Sequence, residues 1–379
     1  MSAADAGRRA AGAPLRVLMA TPRFLPETGG VETHVYETAR RLAVRGVEVA
    51  VLCTDVTRLL PRDETIEGVR VIRVRAYPKG RDYRLAPSIG RVVRSGGWDL
   101  VHVQSYHTLV APHAMLAALR AHIPYVLSFH AGGHSARLRT AARPLQQRLL
   151  APLIRRAARL VVLAGFEADL YGERLGVPRG RFVSIPNGAD LPDIPAAERS
   201  ETEPGLIASV GRLERYKGHH RAIEALPVVL ESRPDARLWI AGTGPYQGEL
   251  RALAERLGVA DRVDVRAIPP GDRRAMAVEV SRAALVVLLS DFETHPIAAL
   301  EAIALGRRVL VADTSGLSEL AERGLPRGTP LDSSPALAGA AMIEEMARPP
   351  LDDPPTIPSW DDCADRLHVL YGDVLAEAM

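Results

Sequence analysis

The 379-residue chain is poor in cysteine, lysine and aromatic residues. Its two cysteines, Cys53 and Cys363, are too far apart in sequence to make a disulfide framework or a metal knuckle by themselves. They fit a reducing cytoplasm and are expected to be buried packing residues. No Asp-x-Asp triplet occurs, and the adjacent His219-His220 does not make a ligand set by itself, so no obligatory metal is expected. No apolar run approaches the roughly 18 residues of a membrane-spanning helix. The double arginine near the N-terminus precedes only a short apolar run that reads as a first strand, so no signal peptide is expected. Neither sign of charge dominates: 48 basic against 45 acidic residues leave a net charge of +3, and nucleic-acid binding is not indicated. Only Lys79 and Lys217 are lysines; every other basic residue is arginine, which singles out Lys217 in its loop.

Hydrophobic residues make up 47% of the chain and charged ones 25%, with a mean hydropathy of +0.00. This is the balance of a globular protein, and the length favours two domains. Short runs rich in Val, Ile and Leu alternate with longer helical patterns, the mark of βαβ units around a parallel sheet. Strands are predicted at RVLMAT from 16, VEVAVLCT from 47, VRVIRVRAY from 69, DLVHVQS from 99, YVLSFH from 125, RLVVLAG from 159 and FVSIPNG from 182. The pattern restarts with LIASVGRL from 206, RLWIAGTGP from 237, RVDVRAIP from 262, ALVVLLS from 284 and RRVLVAD from 307. Between the two sets, residues 189–205 are Pro- and Glu-rich and read as a linker. The expected architecture is therefore α/β, with two doubly wound parallel-sheet domains at 1–188 and 206–359 and a last helix from about Asp361 to Ala378. Ligands of such sheets bind beyond the carboxyl ends of the strands, so the loops there are the candidates for chemistry.

Five loops stand out. In SDFETHPIAALEAIALG, Glu293 precedes and Glu301 lies within a helix predicted from Pro296 to Leu305, and the two could approach one elongated ligand; an acidic loop residue and a solvated helix residue are the plainer reading. SVGRLERYKGHH carries Arg212 and Lys217, a planar fork and a point charge suited to a diphosphate, or else a solvated loop. Gly29 and Gly30 separate the first strand from the first long helix, as a close approach to an anion or a plain tight turn would require. His130 ends a strand before Gly132-Gly133 and is either cleft-facing or structural. Gly242, Gly244 and Gly248 partly imitate a dinucleotide fingerprint, with the wrong spacing and in mid-chain.

Taken together, GGVETHVYETARRLAVRGVEV, FHAGG, SIPNGAD, VGRLERYKG, AGTGP and ETHPIAALEA resemble, in order and spacing, the retaining family 4 glycosyltransferases, from about Arg16 to Ala378. The resemblance implies the GT-B fold: two Rossmann-like domains facing across a cleft, with the helix of 360–379 crossing back to the first. It implies a nucleoside diphosphate sugar donor, a hydroxyl acceptor (glycan, lipid-linked or small natural product) and hexosyl transfer without an obligatory metal. Residue by residue, Arg212 and Lys217 correspond to the diphosphate clamp, Glu293 to the glutamate near the donor sugar and Glu301 to the one on the ribose. Gly30, beside Gly29, corresponds to the glycine whose amide approaches phosphate, and His130 to the histidine near the reacting carbon. Asn187 and Gly188 mark the crossing between domains. Gly242, Gly244, His295, Pro296 and Ile297 fall among the donor-binding positions. Two departures stand out. Glu293-Thr294-His295-Pro296 replaces the common Glu-Gly-Phe-Gly, and Gln104 replaces a frequent histidine. A sugar-nucleotide epimerase of similar fold, a dinucleotide-dependent oxidoreductase or an inert sugar-nucleotide binder are the rival readings.

Residues 137–159 contain seven arginines and no acid, with Leu145, Leu149, Leu153 and Ile154 near one stripe. This segment reads either as an amphipathic helix lying peripherally on anionic membrane from the cytoplasmic side or as a helix packed on its own domain.

Overall fold

The computed structural model describes residues 13–27, 29–78, 84–130, 137–189, 201–269, 272–324, 326–351 and 356–378, and for 137–143 the backbone only. Most of the expected linker, together with Lys79 and Gly132-Gly133, lies outside the described residues.

The first half comprises β1 (Arg16–Ala20), α1 (Gly30–Val44), β2 (Glu48–Asp55), β3 (Asp63–Ile66), β4 (Val69–Arg75), α2 (Ile89–Ser95), β5 (Leu100–Gln104) and α3 (Val110–Arg120). It continues with β6 (Tyr125–Ser128), α4 (Arg137–Ile154), β7 (Arg159–Val162), α5 (Gly165–Leu175) and β8 (Phe182–Ser184). The second half comprises β9 (Glu203–Val210), α6 (His219–Ser232), β10 (Arg237–Ala241), α7 (Gln247–Arg256), β11 (Val263–Val265), α8 (Arg273–Arg282) and β12 (Ala283–Leu288). After these come α9 (Ile297–Ala304), β13 (Arg308–Asp313), α10 (Ser315–Glu322), β14 (Arg327–Pro330), α11 (Pro335–Met346) and α12 (Trp360–Ala378).

The strands form two sheets, ordered β3-β4-β2-β1-β5-β6-β7-β8 and β11-β10-β9-β12-β13-β14. All pairings are parallel except β3 with β4. Neighbouring strand residues point to opposite faces, and both faces are covered. In β1, Leu18 and Ala20 enter the core beneath α2, α3, α4 and α5, whereas Val17 and Met19 enter the one beneath α1 and α12. In β12, Leu285 and Val287 divide from Val286 and Leu288 in the same way. Cys53 and Cys363 are both buried in the α1/α12 core, where burial pushes their thiols up to about 12.

Three details differ from the sequence reading. The strands β3 (DETI) and β14 (RGTP) escape an apolar-run search because both lie at sheet edges, where polar residues and proline are tolerated. The strand β9 begins at Glu203, where Arg282 Nε meets Glu203 Oε1 at 2.7 Å, so the last residues of the expected linker belong to the sheet. The basic helix stops at Ile154 rather than continuing to 159, because Arg159 already pairs with Val126 in β7. Among the described residues no helix is long and apolar enough to cross a membrane.

Candidate active site

The loops that follow the strands bring the two domains together. After β7, the amide of Gly165 donates to Glu319 Oε2 of α10 at 2.8 Å, and Phe166 meets Phe292 edge to face with ring centres 6.1 Å apart. After β8, Asn187 stands between the domains: His34 of α1 donates Nδ1–H to its Oδ1 at 2.8 Å, and its Nδ2 donates to the His295 carbonyl at 3.1 Å. The two bonds fix each other, since the amide oxygen can only accept and the amide nitrogen can only donate.

The loop between β9 and α6 carries the cations. It turns through a 3-10 segment, Arg215–Lys217, and ends on Gly218 at φ 71°, where an added Cβ would lie 1.8 Å from the Leu289 carbonyl oxygen. That contact holds Lys217 against the loop after β12, where its Nζ sits 2.5 Å from Glu293 Oε1. Ser290 Oγ donates to the same oxygen at 3.0 Å, Glu293 N donates to Ser315 Oγ at 2.9 Å, and the Lys217 ammonium lies 5.4 Å from the centre of the Tyr216 ring. Burial works hardest against the Lys217 charge, yet Glu293 and Tyr216 together carry its pKa above the ordinary range. Arg212 is half-exposed, donates to Tyr216 OH at 2.6 Å and pairs with Glu214 at 2.9 Å. Burial opposes its charge too, but Tyr216, Glu214 and, from the other domain, Glu32 more than offset it.

Glu32 lies in the first turn of α1, buried and 3.0 Å from Arg23 Nε. Its charge acts on Arg212 across the domain boundary. A Cβ on Gly29 would come 2.5 Å from Glu32 Oε2, whereas one on Gly30 would meet open space. His130, buried just past the end of β6, donates Nε2–H to Gln104 Oε1 at 2.6 Å, and its ring centre is 4.8 Å from that of His34. Burial, reinforced by His34, His102 and His107, holds its pKa well below 6.5, so the imidazole is neutral with its lone pair on Nδ1.

Some expected residues are placed differently. Glu301, buried in α9, pairs with Arg273 rather than with the Lys217 group, so the two glutamates serve separate charge clusters. Gly242 and Gly244 pack on backbone: an added Cβ would lie 1.9 Å from the Gly211 carbonyl oxygen and 2.4 Å from that of Leu213. They let the β10 loop support the Arg212 loop, with Leu213 N donating to Thr243 O at 2.9 Å, and no dinucleotide motif is needed to explain them. His295 is buried, its Nδ1 has no hydrogen-bond partner among the described residues, and burial pushes it down to about 4. Pro296 precedes α9, and Ile297 packs against the Trp360-containing core of the first domain. Tyr216, Ser290, His34 and Glu32 were not singled out from sequence. Of these, only Tyr216 carried a usable signal, an aromatic placed between Arg212 and Lys217.

Residues 28–192 match Glycosyltransferase Family 4 and residues 191–346 match Glycosyl transferases group 1, together covering most of the chain. The chain belongs to glycosyltransferase family 4. This family 4 enzyme is 31% identical to a glycogen synthase of Mycobacterium tuberculosis over 90% of its own length and 87% of the relative's. It is 32% identical to a D-inositol 3-phosphate glycosyltransferase of Nocardiopsis dassonvillei, covering 79% and 77%. Its fold is GT-B. It is similar to sucrose-phosphate synthase from Thermosynechococcus elongatus (TM-score 0.71, 18% identity, 96% of this chain and 100% of that one) and to Anabaena HepE solved with UDP and glucose (TM-score 0.69, 19% identity, 96% and 98%).

Proposed function

We propose that this glycosyltransferase moves a hexose from a nucleoside diphosphate sugar to an acceptor hydroxyl with retention at the anomeric carbon. The observation that carries this reading is the Lys217 ammonium, half-buried beside Glu293 and Tyr216 in the same loop that carries Arg212. In this reading Lys217 and Arg212 take the diphosphate and stabilise the charge that develops on it as the sugar departs. Glu293 holds the sugar hydroxyls, Glu301 exchanges Arg273 for the ribose, and the first turn of α1 offers its free amides to phosphate. His130, neutral and oriented by Gln104, offers Nδ1 as an acceptor to the transferred sugar. The acceptor hydroxyl attacks from the face the leaving group departs, and its proton passes to the departing phosphate. Closure of the two domains limits hydrolysis.

Two cations at the diphosphate supply charge neutralisation from the protein itself, so chelation with EDTA is expected to leave turnover unchanged. The names of the two sequence relatives support a hydroxyl-rich acceptor. The test is a thermal-shift panel of UDP, GDP, ADP, TDP and NAD, followed by transfer assays of Lys217→Ala and Glu293→Ala. Stabilisation by one nucleoside diphosphate and a loss of about tenfold or more in transfer by each folded variant are expected. Stabilisation by NAD alone, or unchanged turnover in both variants, would overturn the assignment.

A further inference from the structure

Between Asp99 and Glu167 the sequence contains no aspartate or glutamate. This stretch supplies α3 and α4, and with the equally acid-free α2 it forms three of the four helices that cover one face of the first sheet. Arg91, Arg94, Arg120, Arg148, Arg155 and Arg156 are exposed on these helices and the turn after α4.

The structure divides α4 into two faces. Its inner face is anchored: Gln147 donates to Tyr106 OH at 2.8 Å, Tyr125 OH donates to the Leu153 carbonyl at 2.6 Å, and Ala151 and Ile154 are buried. The outer face carries Pro144, Leu145, Arg148, Leu149 and Pro152, all exposed. Leu145 is 62% and Leu149 70% exposed, one turn apart on a helix whose own core contacts are already made by other residues. Core packing, the plainer reading of the leucine stripe, therefore accounts for Ile154 and the half-buried Leu153 but not for these two leucines.

We infer that this face docks reversibly on an anionic phospholipid surface, with Leu145 and Leu149 entering the interface between lipid headgroups and the surrounding arginines contacting phosphate. Charge decides between occupants. A second copy paired through the same face by a two-fold axis would set arginines against arginines with no acid of α2, α3 or α4 to relieve them. A nucleic-acid backbone would satisfy the arginines and leave the leucines without a role. An anionic bilayer satisfies both. Two leucines and a handful of arginines make the attachment weak and reversible, and salt screens its electrostatic part.

The experiment is co-sedimentation of the full-length protein with vesicles of phosphatidylglycerol and phosphatidylcholine, against vesicles of phosphatidylcholine alone, at low and high salt. The expected result is binding to the anionic vesicles only, weakened by salt, and reduced about tenfold both in the Leu145→Ser/Leu149→Ser double variant and in Arg148→Glu. All three positions are exposed, so the thermal midpoint and nucleotide binding of the variants serve as folding controls. No binding to anionic vesicles would overturn the inference. So would binding that survives loss of the leucines and is competed by duplex DNA, or a concentration-dependent dimer that the same substitutions abolish.

Discussion

Burial works against the charge of Lys217, and the neighbouring Glu293 carboxylate and Tyr216 more than offset it. Glu293→Gln is therefore expected to do more than remove a sugar contact. It leaves a half-buried ammonium without its counter-charge, and the Lys217 pKa should fall. The pH profile of transfer should then acquire a new alkaline limb that is absent from the parent enzyme. Gln104 acts on His130 in a comparable way. A carboxylate at 104 would stabilise the imidazolium, so Gln104→Glu should raise the His130 pKa and move the acidic limb of kcat upward by about one pH unit or more; an unchanged profile would separate His130 from the reaction. Burial also pushes His34, His219, His220 and His295 down to about 4 and His102 to about 3. Each is neutral when folded and would take up a proton below pH 6.5 when unfolded. Stability therefore falls as pH drops from 6.5 toward 4, by up to about 1.4 kcal/mol per pH unit for each histidine. Glu167, raised by burial to about 8, works in the opposite sense above pH 4.5. Thermal melts should show a midpoint at least about 5 °C lower at pH 5 than at pH 7.

At the scale of elements, the site depends on backbone approaching backbone. Gly218 brings the Lys217 turn onto Leu289, and Gly316 brings α10 onto the Glu293 loop, where an added Cβ would lie 1.6 Å from the Thr294 carbonyl oxygen. Gly316 N also donates to the Glu293 carbonyl at 2.9 Å. Gly316→Ala must therefore push the Glu293–Pro296 loop aside. It is expected to cost about 2 kcal/mol or more of stability and to reduce transfer out of proportion to that cost, which comparison of melting curves with turnover would reveal. An alanine at Gly248, where an added Cβ meets nothing, should be neutral in both. Most strands and the helices α9 and α12 were legible because buried parallel strands are nearly continuous apolar runs and helices repeat every 3.6 residues. The edge strands β3 and β14 were not, since an edge strand has no such run to reveal it.

For the whole molecule, α12 is the element that ties the end of the chain to its beginning. Trp360, Cys363, Leu367, Leu370, Tyr371 and Val374 are buried in the core under α1, and Tyr371 OH lies 2.7 Å from His102 Nδ1. A Cβ on Gly188 would come 2.2 Å from Trp360 N, so the outgoing and returning strands of the domain crossing are packed against each other. Truncation before Trp360 would leave that apolar face of the first domain uncovered, and the product is expected to be insoluble or to aggregate on purification. Glu319, which caps α5 from the other domain, offers a milder perturbation. Glu319→Ala should raise the donor KM more than it lowers kcat, with a larger radius of gyration by small-angle scattering, because it loosens the apposition of the domains without touching the Lys217 cluster.

The sequence by itself determined the α/β class, the division of strands into two sets and the residue types gathered at the strand ends. Those properties are local: periodicity, turn chemistry and spacing are written in neighbouring residues. Only the tertiary structure decided that Glu293 pairs with Lys217 while Glu301 pairs with Arg273, that Gln104 orients His130, and that Asn187 joins His34 to the His295 carbonyl. It also decided which leucines of the basic helix are left in solvent. Each of these depends on which strand lies beside which and how two sheets face each other, and no local stretch of sequence specifies the neighbour of a side chain that lies in another element.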